Sequence, residues 1–272
     1  MLCDLHTHTH HSFDGFPHAT AHAMAKAAVD AGIGVLALTD HCEVNGQVQR
    51  LYAHFDQAAS FAEATAARDA FADRLTLLRG IELGQPLEHP EEALAMREAH
   101  DYDFVILSLH NIPDVPDFYL LRTDRMSEQH YHKLYDRLLD EMIRSVSFPG
   151  VHTLAHVTYP VRYWAEAGKQ FDLAPHYPRF MRLFEALCKQ GVALEVNVST
   201  LWKGYGFAMP DRELLQLYRS FGGELVTIGS DAHAPENVGN CISDGARLLR
   251  ECGFDKIVAY KEGKQFFVSI TE

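Results

Sequence analysis

The chain opens MLCDLHTHTHHSFDG, four histidines and two aspartates within fifteen residues. Imidazole nitrogens and carboxylate oxygens are ligands for first-row divalent metals, and a mixed set without paired cysteines suits Zn, Mn or Fe rather than a structural zinc site. In H-T-H on a strand, residues two apart face the same way, so His6 and His8 can chelate one ion together. The same residue types recur along the chain: Asp14 in HSFDG, Asp40 and His41 in ALTDH, Glu82 in GIELG, His110 in ILSLH, His156 in TLAH, Glu195 and Asn197 in LEVNVS, and Asp231 and His233 in GSDAH. A donor set this large implies more than one ion.

Each of these donors sits at the end of an apolar run of strand length. The runs are Leu2 to Leu5, Val35 to Leu38, Leu75 to Ile81, Phe104 to Leu109, Thr153 to Ala155, Val192 to Val196 and Leu225 to Ile228. Between them lie stretches of helix-forming composition: Ala19 to Ala31, Val48 to Arg74, Glu91 to Ala99, Ser127 to Arg144, Phe180 to Lys189 and Asp211 to Phe221, with Ala246 to Cys252 after the seventh run. The tail IVAYKEGKQFFVSI reads as a last strand-like piece. Strands alternating with helices predict a parallel α/β fold, and a TIM-like barrel of seven units would use the length fully. No low-complexity linker or repeat divides the chain, so residues 1–272 read as one domain.

In a parallel barrel the C-terminal ends of all strands open on one face, so donors far apart in sequence converge in space. A single histidine is as readily explained by helix capping or a core hydrogen bond; it is the joint strand-end placement that argues for a site. His10, His11, His18 and His22 lack that placement and read as solvent-facing or supporting residues, as do His54, His89, His100, His130, His132, His152 and His176. Asp4 and Asp40 lie beside ligands and read as carboxylates that orient imidazoles.

Composition narrows the partners. The formal charge of −13 disfavours long nucleic acid or an anionic membrane, both of which are bound through clustered Lys and Arg. There is neither a leader-like N-terminus nor an apolar run of membrane-spanning length, so a cytoplasmic protein is expected. Five cysteines with no C-x-x-C indicate neither a disulfide framework nor a thiolate zinc site. No phosphate-cradling glycine motif points to a nucleotide cofactor. Nothing in the sequence specifies an oligomeric state.

The ordered stretches DLHTHTHHSFDG, ALTDH, GIELG, SLHN, LAH and GSDAH resemble the polymerase and histidinol phosphatase (PHP) family over nearly the whole chain. The resemblance implies a distorted (β/α)7 barrel with three divalent metal ions. It places His6, His8, Glu82 and Asp231 on one ion, with Glu82 bridging to a second held by His110 and His156, and Asp14, His41 and His233 on the third. The runs SLHNIPDVPDFYLL, LAHVTYPVRYW and LEVNVST are similar to the stand-alone phosphatases that release phosphate from L-histidinol phosphate, so the expected partner is a small phosphorylated substrate. Arg162 in TYPVRY falls where those phosphatases often carry a phosphate-binding arginine, and Asp231, His233 and Arg162 are the expected catalytic residues. After the sixth run the phosphatases often read N-T-S-G-L-R, whereas this chain has Trp202 at the arginine, followed by Lys203. Ser199, Trp202 and Lys203 are accordingly expected at the substrate, with Lys203 as a point-charge substitute.

Rival readings remain at this stage. Cys241 to Arg247 fits the C-x5-R spacing of cysteine-dependent tyrosine phosphatases, but GSDAH already occupies the strand end that such a loop requires. A two-metal amidohydrolase would also begin with H-x-H, yet no lysine lies at a candidate strand end to bridge its metals. A non-catalytic metal-stabilised barrel would show a degenerate donor set, and this set is complete. Within the family, a nucleotide, a short oligonucleotide or phosphotyrosine is the alternative substrate. Tyr205 and Phe207, with Trp202, could wall the site, and Gly204 and Gly206 would let that loop bend.

Overall fold

Runs such as Val35–Leu38 and Phe104–Leu107 are apolar on both faces, which in a parallel sheet means that both faces are covered. The computed structural model describes residues 1–45 and 55–270. Seven strands form one parallel sheet in sequence order: β1 (Leu2–Thr7), β2 (Ile33–Glu43), β3 (Thr76–Gly84), β4 (Phe104–Ser108), β5 (Thr153–Leu154), β6 (Ala193–Asn197) and β7 (Val226–Gly229). The helices are α1 (Ala21–Asp30), α2 (Gln57–Ala70), α3 (Pro90–Glu98), α4 (Glu128–Ser145), α5 (Tyr159–Glu166), α6 (Tyr177–Gln190), the short α7 (Ser199–Trp202), α8 (Arg212–Ser220) and α9 (Ile242–Glu251). A two-stranded antiparallel hairpin, β8 (Lys256–Lys261) and β9 (Lys264–Ser269), ends the chain.

The first and last strands of the sheet meet. Asp231 N–H donates to the His6 carbonyl and His8 N–H to the Ala232 carbonyl, each at 2.8 Å, around an isolated parallel bridge between Thr7 and Ala232. The seven-stranded barrel is therefore nearly closed. Asp4 staples this seam: its buried carboxylate accepts from Ser230 N–H (2.8 Å), the Ser230 hydroxyl (2.6 Å) and Gly239 N–H (2.9 Å). Burial raises the Asp4 pKa to about 6, with the Ser230 and Gly239 hydrogen bonds opposing. Asp4 thus holds the loop bearing Asp231 and takes no imidazole hydrogen bond, which corrects the role expected for it.

Local sequence explains the helix boundaries. The Thr20 hydroxyl caps α1 by accepting from Ala23 N–H, and Ser127 caps α4 in the same way. Tyr131, Leu134, Tyr135, Leu138, Leu139 and Met142 recur on one face of α4 at helical spacing, and all six are buried against the barrel. Removing any of these large side chains would cost about 2–5 kcal/mol. Gly191 ends α6 in the left-handed region at φ +67°, where a side chain would be strained.

Three features depart from the sequence reading. The segment YPVRYWAE, to which the sequence pattern gives no element, is helix α5, with Pro160 in its first turn where a missing N–H costs nothing. The tail is a hairpin of two strands rather than one strand-like piece, because K-E-G-K supplies a turn with Glu262 and Gly263 both at positive φ. It lies against the N-terminal end of the barrel, where Tyr260 stacks on His152 at 4.2 Å and Glu262 N–H donates to Asp103. The third feature is His176, expected to be a solvent-facing or supporting residue. It is buried, linked to His132 and to Asp136 at 2.7 Å each. Residues 46–54, which include His54 and the start of the stretch predicted as Val48 to Arg74, lie outside the described residues.

His152 yields a pH prediction. Its Nδ1 accepts from Val105 N–H at 2.9 Å, and burial together with the nearby Arg97 lowers its pKa from 6.5 to about 4. Between those values the unfolded chain binds the proton and the folded chain does not, so this residue's contribution to stability falls as pH drops through that window. In His152→Asn the amide oxygen replaces the acceptor without titrating. The melting-temperature advantage of the wild type over His152→Asn should shrink from pH 6.5 to 4; a difference independent of pH would contradict this.

Candidate metal centre

The parallel register delivers the donors. β2 and β3 pair with His41 beside Glu82, and β3 and β4 with Glu82 beside Ile106. The strands run further than their apolar cores suggested, so His6, Asp40, His41 and Glu82 lie inside strand ends rather than after them. His110, His156, Asp231 and His233 follow their strands in the connecting loops.

Glu82 has no exposure to solvent and lies at the centre. Its Oε2 faces one side, 3.4 Å from His6 Nε2, 3.6 Å from His8 Nε2 and 2.9 Å from His41 Nδ1. Its Oε1 faces the other, 3.3 Å from His110 Nε2 and 3.1 Å from His156 Nε2. Asp231 Oδ1 lies 3.5 Å from His8 Nε2 and 4.0 Å from His6 Nε2. Asp14 Oδ2 is 3.1 Å from His233 Nε2, and its Oδ1 is 3.7 Å from His41 Nε2. All nine donors predicted from the sequence are thus brought together.

These residues fit divalent cations. The Nε2 atoms of His6 and His8 are buried with no hydrogen-bond partner, an arrangement that costs free energy unless something is bound there. His6, His8 and Asp231 offer donor atoms within 4.8 Å of one another, as do His6, Glu82 and His156, and His8, His41 and His233. The electrostatics agree. Burial works against a proton on His6, yet Glu195 and Glu82 raise its pKa well above the ordinary imidazole value; Glu82 and Asp14 do the same for His41 against the same burial. His110, opposed by burial and raised by Glu43 and Glu82, reaches about 10. Burial and the neighbouring His233 and His41 lower His8 to about 3. Despite burial, Glu82 is held well below the carboxylate range by His41, His6 and His110, and Asp231 by His8, His6 and His233. The carboxylates thus draw positive charge toward the cluster.

A surrounding layer fixes the imidazoles. Glu195 accepts from His6 Nδ1 at 2.6 Å and from His156 N–H at 2.8 Å. Glu43 Oε1 takes His110 Nδ1 at 2.9 Å and His41 Nδ1 at 3.2 Å, while its Oε2 accepts from Gln85 at 2.7 Å. Asp40 accepts from Thr9 and Ser12, and the Ser12 hydroxyl contacts His8 Nδ1 at 3.1 Å. Glu43 had no role in the sequence reading, although its position two residues after His41 on a strand puts both on one face. Close packing is also required: a Cβ on Gly229 would meet His6 Cβ, and one on Gly84 would meet the Glu43 carboxylate. His156 and Asp231 hold positive φ of 26° and 55°, strain of the kind that clusters at functional sites.

Above the donors lies a cavity of about 480 Å3. Asp14, His41, Glu82, His110, His156, Asp231 and His233 line it, as do Arg162, Trp202 and Lys203; His6 and His8 are fully buried and outside the lining. Tyr119 lines the cavity and Phe118 is core, while Tyr205 and Phe207 lie outside its lining. Ser199, expected at the substrate, is instead fully buried and donates its hydroxyl to Asn197 at 2.6 Å. Cys241 lines a different cavity, and burial together with Asp244 raises its thiol pKa, the opposite of what a thiolate nucleophile needs.

Comparison with known proteins gives concordant results. The profile of the family described as PHP domain matches residues 4–199. A "Probable histidinol-phosphatase" of Thermotoga maritima is 28% identical over 265 residues, covering 97% of each chain. Its namesake in Deinococcus radiodurans is 29% identical over 264 residues, 93% of this chain and 94% of that one. Among solved structures, a histidinol phosphate phosphatase of Lactococcus lactis subsp. lactis, crystallised with zinc, L-histidinol and phosphate, superposes with a TM-score of 0.78 at 21% identity. The superposition covers 97% of this chain and 98% of that chain.

The surrounding layer is testable apart from the donors. Glu43→Gln leaves all nine donors in place and should weaken divalent-metal affinity by about 10- to 100-fold in a metal titration; unchanged affinity would remove Glu43 from the support of the centre.

Proposed function

We propose, from the premise that this chain belongs to the PHP domain family, that it is a metal-dependent phosphatase releasing phosphate from a small monoester, L-histidinol phosphate. The observation that carries this reading is that one cavity is lined both by the donor cluster and by two cationic side chains, Arg162 and Lys203. A phosphoryl dianion is the ligand that uses both. The two bacterial relatives, matched along nearly their full lengths, carry histidinol-phosphatase in their names, which supports the leaving group.

Three divalent ions of the Zn, Mn or Fe type would share these donors: one at His6, His8, Glu82 and Asp231, one at Glu82, His110 and His156, and one at Asp14, His41 and His233, sets supported by the close contacts within each. Ions so held supply positive charge to the phosphoryl oxygens and lower the pKa of an attacking water. Asp231 and His233 face the cavity and, with Arg162, are assigned the catalytic work.

Arg162 is held for phosphate. Its guanidinium lies over the Tyr159 and Tyr163 rings at 5.1 and 4.6 Å and donates to the Tyr163 hydroxyl. That hydroxyl donates to Tyr159 (2.7 Å), which donates to Asp117 (3.0 Å). The chain of hydrogen bonds fixes the arginine in the cavity lining, where its guanidinium could meet a phosphoryl oxygen. Lys203 packs over the Trp202 ring at 4.9 Å, and the Trp202 indole N–H donates to the Ser230 carbonyl. Burial lowers the Lys203 pKa while Asp231 opposes that shift. A compact ammonium on an aromatic wall thus takes the place of a second guanidinium fork, giving point-charge rather than bidentate contact.

Phe13, Phe16 and Tyr119 form a half-exposed aromatic rim to the cavity. Such a rim also fits a phosphotyrosine side chain, which is the second reading. The dimensions suit a small molecule, and the charge of −13 disfavours long nucleic acid.

Purified enzyme should release phosphate from L-histidinol phosphate in preference to nucleotides, dinucleotides and phosphotyrosine peptides, and a chelator should abolish release. Cleavage of a nucleotide or of phosphotyrosine with histidinol phosphate ignored would overturn the substrate. Arg162→Ala should lower kcat/KM about 10- to 100-fold, the loss of a charge-assisted contact. His233→Ala should cripple turnover, whereas Cys241→Ser should leave it unchanged.

A further inference from the structure

The loop after β1 carries a second set of donors that the centre above does not use. His10 and His11 follow directly on the Thr9 backbone yet meet Glu63 of α2. His11 Nε2 lies 2.7 Å from Glu63 Oε2 and His10 Nε2 lies 3.5 Å from the same oxygen. The two imidazoles are 4.2 Å apart between centroids. The three donor atoms fall within 4.8 Å of one another.

Each donor is fixed by its own backbone or by a neighbour. His10 N–H donates to the Ala19 carbonyl at 2.9 Å and His11 N–H to the Thr9 hydroxyl at 3.2 Å. The other Glu63 oxygen accepts from Ala21 N–H at 2.8 Å, at the first residue of α1. One carboxylate oxygen is therefore committed, and the remaining one is turned toward both imidazoles.

A simple His11–Glu63 hydrogen bond accounts for one ring. It leaves unexplained why His10 approaches the same oxygen with its own Nε2. Two atoms bound at about 2.0–2.2 Å to one tetrahedral ion sit about 3.4 Å apart. The His10–Glu63 separation already has that value, and the His11 contact would open by less than an ångström. The side chains are 32%, 15% and 29% exposed for His10, His11 and Glu63, so water can complete the coordination.

We propose that His10, His11 and Glu63 form a separate site for a divalent first-row cation, zinc by its two-imidazole, one-carboxylate donor set. The ion would clamp the loop that carries Asp14 onto α2. It adds to two existing ties, Ser60 to Asp40 at 2.7 Å and Glu63 to Ala21. This site stands whether or not the substrate assignment does.

The test uses the full chain with its central ions, dialysed against micromolar zinc, with zinc per chain measured by plasma mass spectrometry and thermal unfolding followed in parallel. Glu63→Gln keeps an oxygen for Ala21 and removes the charge; His10→Ala alters a partly exposed ring and leaves Glu63 intact. Each variant is expected to hold one zinc per chain fewer than wild type and to lose the rise in melting temperature that added zinc produces. Equal zinc content in wild type and variants would overturn the site. So would a deficit of more than one zinc, because the variants would then be acting on the central cluster.

Discussion

A carboxylate with no contact with water, Glu82, governs the arrangement of the barrel mouth. Removing an ionised group from water is costly unless opposite charge is supplied nearby. The imidazoles of His6, His8 and His41 crowd one of its oxygens, and those of His110 and His156 the other. Glu82, with Glu195, Asp14 and Glu43 beside it, raises the pKa of His6, His41 and His110 against burial. Divalent cations held there would supply the same compensation with more charge. The nitrogens left without partners at His6 and His8 are the counterpart of the same design.

The rest of the structure keeps those groups from moving. Parallel pairing of β2 with β3 sets His41 beside Glu82, and the seam between β1 and β7 sets His6 beside Asp231. Asp4 ties that seam through Ser230 and Gly239, while Glu195 and Glu43 orient the rings from behind. Glycine at 229 is a steric demand of the His6 side chain. At the far end, the β8–β9 hairpin covers the start of β4 through Tyr260 and Glu262 and leaves the catalytic mouth open.

Much of this was legible in the sequence, for a physical reason. Parallel strands buried on both faces show as apolar runs, and a metal donor at a strand end is a chemically distinctive residue directly after such a run. The strand-end histidines and acids could therefore be read without contacts, and the resemblance to the PHP family singled out nine of them as the expected ligand set. What escaped was set by tertiary geometry. Glu43 carries no motif of its own, and only its reach to His41 and His110 reveals its role. Helix α5 is too short and too aromatic to announce itself by periodicity, yet it is the element that aims Arg162. Ser199 sat in the right motif but faces Asn197 rather than the cavity, because α7 turns inward directly after β6.

Donors and cations of the chain share the lining of one cavity, with Trp202 holding Lys203 and the Tyr159–Tyr163 pair holding Arg162. That pairing has meaning only if Glu82 joins ions on both its oxygens. The most direct measurement is anomalous X-ray scattering from crystals of the metal-loaded enzyme. The predicted result is a peak on each side of Glu82, with Oε1 and Oε2 each at about 2.0–2.2 Å from an ion. A map with no ion at Glu82, its oxygens hydrogen-bonded to protonated imidazoles instead, would contradict it.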